Sequence, residues 1–237
     1  MTFILNFDTI VIYRCLGGKY MNINKLKLEL IAQRKSKFKG NIYHYSQVNF
    51  AYNSNKIEGG RLTEDETEEI FETDSFIPKS DTAIKLDDLI EMKNHFRLFD
   101  YTLDIIDKPL SKEIMIDMNK ILKRNTTDEE NPRYNVGGFK VVPNKIGLIN
   151  VINTSKPEDV EKDLDILISE YEEMDEITLE DIIDFHYKFE LIHPFGDENE
   201  PLGQQKTYLQ KYLQNKGFTD FGKSFFLNEF YNFSIKC

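Results

Sequence analysis

The sequence predicts an all-α fold, a helical bundle from which a single β-hairpin projects. Residues 139–152 predict the hairpin, because they are rich in β-branched side chains and contain the turn residues Pro143, Asn144 and Gly147. A chain of 237 residues without internal repeats is long enough to bury one sizeable core. Apolar residues recur at helical spacing in six segments, which are residues 26–38, 43–57, 86–106, 114–122, 160–171 and 179–192.

Two helix starts are marked by the pattern of a capping box, in which a hydroxyl and a carboxylate three residues later satisfy the first free amide groups. Thr63 with Glu66 has this spacing, and so has Ser155 with Glu158. The sequence therefore predicts that a helix begins at each of these places.

The composition excludes several classes of function. The net charge of −11 argues against a non-specific nucleic-acid binder, which needs a basic face. No apolar run approaches the roughly 18 residues that a membrane span requires. Cys15 and Cys237 lie near opposite termini without a Cys-x-x-Cys pattern, which argues against a disulfide framework or a zinc site built on them and favours a reducing cytoplasm.

Residues 1–20 allow two interpretations. They are apolar, but Asp8 interrupts them and no basic segment precedes them, so they make a poor signal peptide. The codons for Leu16-Gly17-Gly18 can contain a ribosome-binding sequence shortly before Met21, which predicts that Met21 is the true start. The alternative is a genuine β-like extension.

The most informative stretch is residues 193–204, which read His-Pro-Phe-Gly-Asp-Glu-Asn-Glu-Pro-Leu-Gly-Gln. They resemble the signature of the Fic (Fido) family of AMP-transferring enzymes, His-Pro-Phe-x-Asp-Gly-Asn-Gly-Arg-x-x-Arg. The resemblance implies a Fic-type helical bundle whose β-hairpin is the family's target-binding flap. It divides the chain into an N-terminal helical region (21–85), a Fic core (86–216) and a C-terminal tail of unassigned structure (217–237).

The resemblance extends to two further segments. Ser54-Asn-Lys-Ile-Glu58-Gly59 is similar to the family's inhibitory pattern Ser/Thr-x-x-x-Glu-Gly/Asn, and Ser54 and Glu58 share one helix face. Residues 137–144 are similar to the flap, in which Lys140, Pro143 and Asn144 would contact a target protein that adds a strand. On the residues alone, Glu58 can also be a surface carboxylate, and the hairpin can simply close the bundle.

The resemblance implies a role for each matching loop residue. His193 would be the general base that takes the proton of a target hydroxyl, because imidazole suits proton uptake near neutral pH. Asp197 would bind Mg²⁺, and Asn199 and Gly203 would contact the nucleotide, ATP. Taken without the motif, His193 is a packed residue at a helix end and Asp197 caps its own loop. Pro194 is expected to end the helix and Phe195 to anchor the loop in the core.

Four positions depart from the family signature. Glu198 and Glu200 replace glycines, which otherwise let backbone amides converge on phosphates, and Pro201 and Gln204 replace arginines. Two guanidinium groups are therefore lost and two carboxylates gained, and one unit charge at about 5 Å is worth roughly 3 kcal/mol at an effective dielectric constant of 20. We expect binding of ATP and Mg²⁺ to be weakened.

The combination of retained and replaced signature residues leaves four alternatives open. The chain can be an AMP-transferase of weak or lost activity, or a hydrolase that removes AMP with the help of Glu58. It can also be a catalytically inactive scaffold that binds a target protein through its flap, or a decayed protein without a role. The sequence leaves a homodimer open and predicts neither a nucleic-acid nor a membrane partner.

Overall fold

The computed structural model describes residues 23–36, 38–57, 59–78, 83–146, 152–175, 177 and 179–196. Within these ranges the fold is all-α, as predicted. The helices are α1 (Ile23–Ser36), α2 (Ile42–Ile57), α3 (Glu64–Thr73), α4 (Leu86–Ile105), α5 (Lys112–Lys123), the single turn α6 (Thr127–Glu130), α7 (Val160–Glu172) and α8 (Leu179–Ile192). A 3₁₀ turn, Pro157–Asp159, leads into α7.

All six predicted helices are present, with boundaries shifted by a few residues. The capping box at α3 is confirmed, because the Thr63 hydroxyl accepts from the amide of Glu66 and the Glu66 carboxylate accepts from the amide of Thr63.

The capping box predicted at Ser155 is wrong. The Ser155 hydroxyl donates to Asp163 Oδ2 at 2.5 Å, so it turns toward α7 and caps no helix. Lys156 occupies the N-cap position of the 3₁₀ turn and makes no side-chain cap, and Pro157 at the start of that turn has no amide hydrogen to satisfy.

Within the described ranges, the two strands contain fewer residues than the hairpin predicted over residues 139–152. Strand β1 (Lys145–Ile146) pairs antiparallel with β2 (Ile152–Asn153), with Lys145 opposite Asn153. Residues 139–144 lie outside both strands, because their polar groups bond to the α8 end instead, and residues 147–151 lie outside the described ranges. A target-binding flap here stays a prediction.

Two separate regions of packing form the interior. The N-terminal region joins α1 to α4, and its buried residues form two clusters. The C-terminal region joins α5, α7 and α8 in a third cluster. The buried members of the first region are Leu30, Tyr43, Ala51, Leu62, Ile70, Met92, Phe99 and Leu103, and those of the second are Met115, Val160, Leu164, Leu167, Tyr171, Phe185 and Ile192.

Polar contacts fasten α4 to the end of α5. The buried Asn94 amide donates to the carbonyl oxygens of Leu122 and Arg124, both at 2.8 Å. Lys123 forms ion pairs with Glu91 at 2.6 Å and with Asp128 at 3.0 Å. These bonds satisfy the free carbonyls at the C-terminus of α5 and join the two packing regions.

None of the helices described here combines the length and the apolar character that crossing a lipid bilayer requires.

Candidate active-site loop

Helix α8 ends at Ile192, and the backbone reverses at the next residue. His193 has φ of 48°, in the left-handed region, while its amide still donates to the Phe189 carbonyl at 2.9 Å. This conformation is common just after a helix but costs a residue with a side chain roughly 1 kcal/mol. Pro194 follows and cannot continue the helix, as predicted.

The imidazole of His193 is partly accessible to solvent. Its side chain is 20% exposed, and Nδ1 lies 3.9 Å from Glu190 Oε2. That distance is too long for a hydrogen bond but short enough for the carboxylate to attract a positive charge on the ring. The ring can therefore take a proton from a group that approaches from solvent.

Phe195 anchors the loop in the C-terminal cluster, as predicted. Its ring centroid lies 5.8 Å from that of Phe139 and 6.5 Å from that of Phe189, distances typical of packed aromatic pairs. The partly buried ring after Pro194 fixes where the loop leaves α8.

Gly196 is fitted closely against the backbone of Tyr134. A Cβ atom at position 196 would lie 2.7 Å from both the Cα and the carbonyl oxygen of Tyr134. Real Cβ atoms essentially never approach backbone this closely, so the loop requires glycine here.

A buried lysine ties the loop to the segment that precedes β1. Lys140 is 2% exposed. Its ammonium group donates to Asn144 Oδ1 at 2.7 Å, to Thr154 Oγ1 at 2.8 Å and to the carbonyl oxygen of Ile192 at 3.0 Å. Its own amide donates to the Pro194 carbonyl at 2.8 Å. A cation at a helix C-terminus also interacts favourably with the helix dipole.

Asn144 and Thr154 complete this arrangement, which we call the lysine clamp (Lys140, Asn144 and Thr154). The Asn144 side-chain amide donates to the Phe195 carbonyl at 3.1 Å. The Thr154 hydroxyl donates to the Asn144 carbonyl at 2.9 Å. The clamp therefore binds three positions around His193, namely 192, 194 and 195.

The structure brings some predicted site residues together. Lys140 and Asn144, which the resemblance assigns to the flap, lie beside His193 with their side chains turned inward. Pro143 is exposed. Ser54 lies in the last turns of α2 and is half-buried, and its side chain makes no hydrogen bond within the described ranges.

Four predicted residues, Glu58, Asp197, Asn199 and Gly203, lie outside the described ranges. Their roles as inhibitory residue, metal ligand and nucleotide contacts stay predictions.

Sequence reasoning missed Thr154, Tyr134 and Glu190. Thr154 directly follows the predicted hairpin, so its position beside the turn residue Asn144 could have been expected from strand pairing. No local signal marks Tyr134, because it contributes backbone atoms to the fit with Gly196. Glu190 precedes His193 by three residues on a helix, a spacing that places the two side chains on one face.

Comparison with known proteins agrees with this architecture. Residues 109–203 match the model of the Fic/DOC family. A Fic family protein from Desulfovibrio desulfuricans superposes with a TM-score of 0.64 at 18% identity, covering 89% of this chain and 71% of its own. A Fic domain containing signaling protein from Bacteroides thetaiotaomicron gives 0.58 at 20% identity, covering 89% of this chain and 90% of its own.

A variant fragment of Fic-1 from C. elegans has a TM-score of 0.64 at 14% identity, covering 99% of this chain and 71% of that one. No curated protein matches the sequence significantly. The chain has a Fic-type fold, and the segment that carries His193 matches the model of the Fic/DOC family.

The described loop does not supply the cationic groups that a triphosphate with Mg²⁺ requires. The Lys140 ammonium lies beside the loop, but it is buried and already donates to three oxygens of the protein. The carboxylate beside His193, that of Glu190, is 33% exposed and repels phosphate. Together with the substitutions at 198, 200, 201 and 204, this does not fit tight binding of ATP.

Proposed function

We propose that the chain is an AMP-transferase of the Fic type in which the proton-accepting part of the site is retained and the nucleotide-binding part is weakened. The observation that carries the proposal is the position of His193. The lysine clamp holds the backbone on both sides of this residue, and its imidazole remains 20% exposed.

The chemistry available to the described residues is proton transfer. A serine, threonine or tyrosine hydroxyl of a target protein can donate its proton to a His193 ring nitrogen. The hydrogen bonds at 192, 194 and 195 fix the backbone from which the ring projects. Activity should therefore be limited by nucleotide binding.

The test compares the chain with a variant that restores the family signature, Glu198→Gly, Glu200→Gly, Pro201→Arg and Gln204→Arg. Calorimetry with ATP and Mg²⁺ should detect at best weak binding to the natural chain and much tighter binding to the restored one. Auto-modification with labelled ATP should rise in parallel. His193→Ala in the restored background is the matched control, because it should keep binding and lose transfer.

Micromolar binding of ATP by the natural chain would contradict the proposal that its nucleotide-binding site is weakened. A restored chain that binds ATP but transfers no AMP would contradict the role of His193. Binding of AMP without ATP would instead favour an AMP-removing hydrolase, since that reaction needs no grip on the outer phosphates.

A second function, target binding without catalysis, is favoured by the exposure of two apolar residues. Val141 and Val142 are 56% and 37% exposed and are separated from β1 by Pro143 and Asn144. Exposed valines beside a short strand suit the addition of an extended segment from a partner. If this function holds, a partner should bind the natural chain and His193→Ala equally and should not bind Val141→Asp with Val142→Asp.

A further inference from the structure

A buried histidine and two exposed glutamates lie close together in the N-terminal region. They are distant in sequence from His193. His44 lies in the first turn of α2, and Glu68 and Glu72 lie on α3 at a spacing that places them on one face. His44 Nε2 is 3.2 Å from Glu72 Oε1 and 3.8 Å from Glu68 Oε1. One ligand atom from each residue lies within 4.8 Å of the others.

The histidine in this group is buried. His44 is 5% exposed, its Nε2 faces the two glutamate oxygens, and that of Glu72 at 3.2 Å is close enough to pair with the ring. Its Nδ1 has no hydrogen-bond partner in the described part of the chain. The rings of Phe71, 5.4 Å away, and Tyr45, 6.0 Å away, pack edge-on against the imidazole and hold its orientation. Nε2 therefore points at the two carboxylates, and a buried ring nitrogen that faces two carboxylate oxygens is an arrangement that a shared cation would satisfy.

The charges around the group suit a divalent cation. Lys39 donates to the other oxygen of Glu72, Oε2, which leaves Oε1 turned toward His44. The two carboxylates outnumber the one lysine, so these three side chains carry a net negative charge.

We propose that His44, Glu68 and Glu72 bind a divalent cation of the zinc class, with water as the fourth ligand. Metal–ligand bonds of about 2.0–2.1 Å in a tetrahedron place ligand atoms about 3.3–3.4 Å apart. The two distances from His44 Nε2, 3.2 and 3.8 Å, lie on either side of this value. The Glu68 side chain is 48% exposed, so a small rotation brings its oxygen into place.

The nitrogen ligand separates this site from a magnesium site. Imidazole suits Zn²⁺ and its neighbours among the transition metals, whereas Mg²⁺ prefers oxygen ligands in octahedral geometry. A bound cation would fasten the start of α2 to the end of α3, the two helices that flank residues 58–63.

The site is tested by titrating the full chain with Zn²⁺ in a calorimeter, in the presence of a reductant that keeps both cysteines as thiols. We expect one binding event that weakens at least tenfold in Glu68→Gln and disappears in His44→Gln. Glu68 is exposed, so its variant keeps the fold and separates loss of a ligand from loss of structure.

The chain offers a matched control. Glu161 and Asp165 on α7 have the same spacing and share Lys112, at 3.5 and 2.8 Å, but no histidine joins them. Glu161→Gln should leave Zn²⁺ binding unchanged. Nitrogen-15 NMR of the imidazoles should show Nε2 of His44 shifting on addition of Zn²⁺ and not on addition of Mg²⁺. Equal Zn²⁺ affinity in the natural chain and in Glu68→Gln, or an unshifted His44 resonance at saturation, would overturn the proposal.

Discussion

The amide of Lys140 donates to the carbonyl of Pro194 at 2.8 Å, while the ammonium of the same residue donates to Ile192 at 3.0 Å. One lysine thus bonds to the residues on both sides of His193. The backbone bond is independent of the side chain at position 140, whereas the ammonium bonds can be removed by substitution.

Replacing Lys140 with methionine should destabilise the fold. The change keeps the length of the side chain but removes the donor to Thr154 Oγ1 and to the Ile192 carbonyl, while Asn144 Oδ1 keeps only the bond from the Thr154 hydroxyl. Buried unsatisfied groups cost about 1–3 kcal/mol, so the free energy of unfolding in urea should fall by at least that amount. Lys112→Met, which breaks exposed ion pairs, should have a much smaller effect. Equal losses in both variants would contradict a structural role for the clamp.

Replacing Gly196 with alanine should displace the His193 loop. The new methyl group would meet backbone atoms of Tyr134 at 2.7 Å, and backbone cannot turn aside as a side chain can. We expect a loss of about 1–3 kcal/mol, together with faster amide hydrogen exchange in residues 193–196.

Gly40→Ala provides the comparison for Gly196. Gly40 has φ of +73°, and no atom lies within 4 Å of the place that a methyl group would take, so alanine there meets only the backbone penalty of about 1 kcal/mol. Exchange at 193–196 should be unaffected. If Gly196→Ala is as stable as the natural chain, the close approach to Tyr134 is not a constraint.

Removing the Thr63 hydroxyl should weaken the start of α3. Thr63→Ala removes the acceptor for the Glu66 amide and should cost about 1 kcal/mol of stability. Thr63→Ser keeps the hydroxyl and should lie within a few tenths of a kcal/mol of the natural chain. Thermal unfolding followed by circular dichroism measures both, and a serine variant as weak as alanine would show that packing of the methyl group matters instead.

Stability should fall in mild acid because of His95. Burial, and in addition the positive charge of Lys123, lowers the pKa of His95 from its ordinary 6.5 to about 4. Between these values the unfolded chain binds a proton that the folded chain excludes, so stability falls as the pH falls from 6.5 toward 4. The loss from this group is at most about 3 kcal/mol.

His95→Leu is the control for the effect of pH. It removes the titrating group from beside Phe50 and should flatten the slope of stability against pH in this window, whatever its effect at pH 7. Urea denaturation at several pH values measures both chains. An unchanged slope would assign the acid sensitivity to other groups.

The parts of the fold that could be predicted depend on residues close together in sequence. Helical periodicity located α2, α4 and α8, and the Thr63 capping box was readable because its two partners are three residues apart. The pattern at Ser155 failed because Asp163, eight residues away, competes for the hydroxyl.

The supports of the candidate site could not be predicted, because they join distant residues. The Lys140 ammonium bonds to residues 14 and 52 positions away, and a lysine in a predicted hairpin is expected to be exposed. The left-handed backbone of His193 was also not predicted, because Pro194 indicates where the helix ends but not the conformation of the residue before it. The motif identified the residue but not how it is held.

The separation of the interior into two packing regions determines which residues support the candidate site. The cluster around Phe195, the lysine clamp and Tyr134 are all supplied by residues 110–196. The N-terminal helices reach this part chiefly through the contacts of α4 with α5. The loop of His193 is thus supported directly by its own C-terminal region, and α4 connects that region to the N-terminal helices and to the proposed cation site.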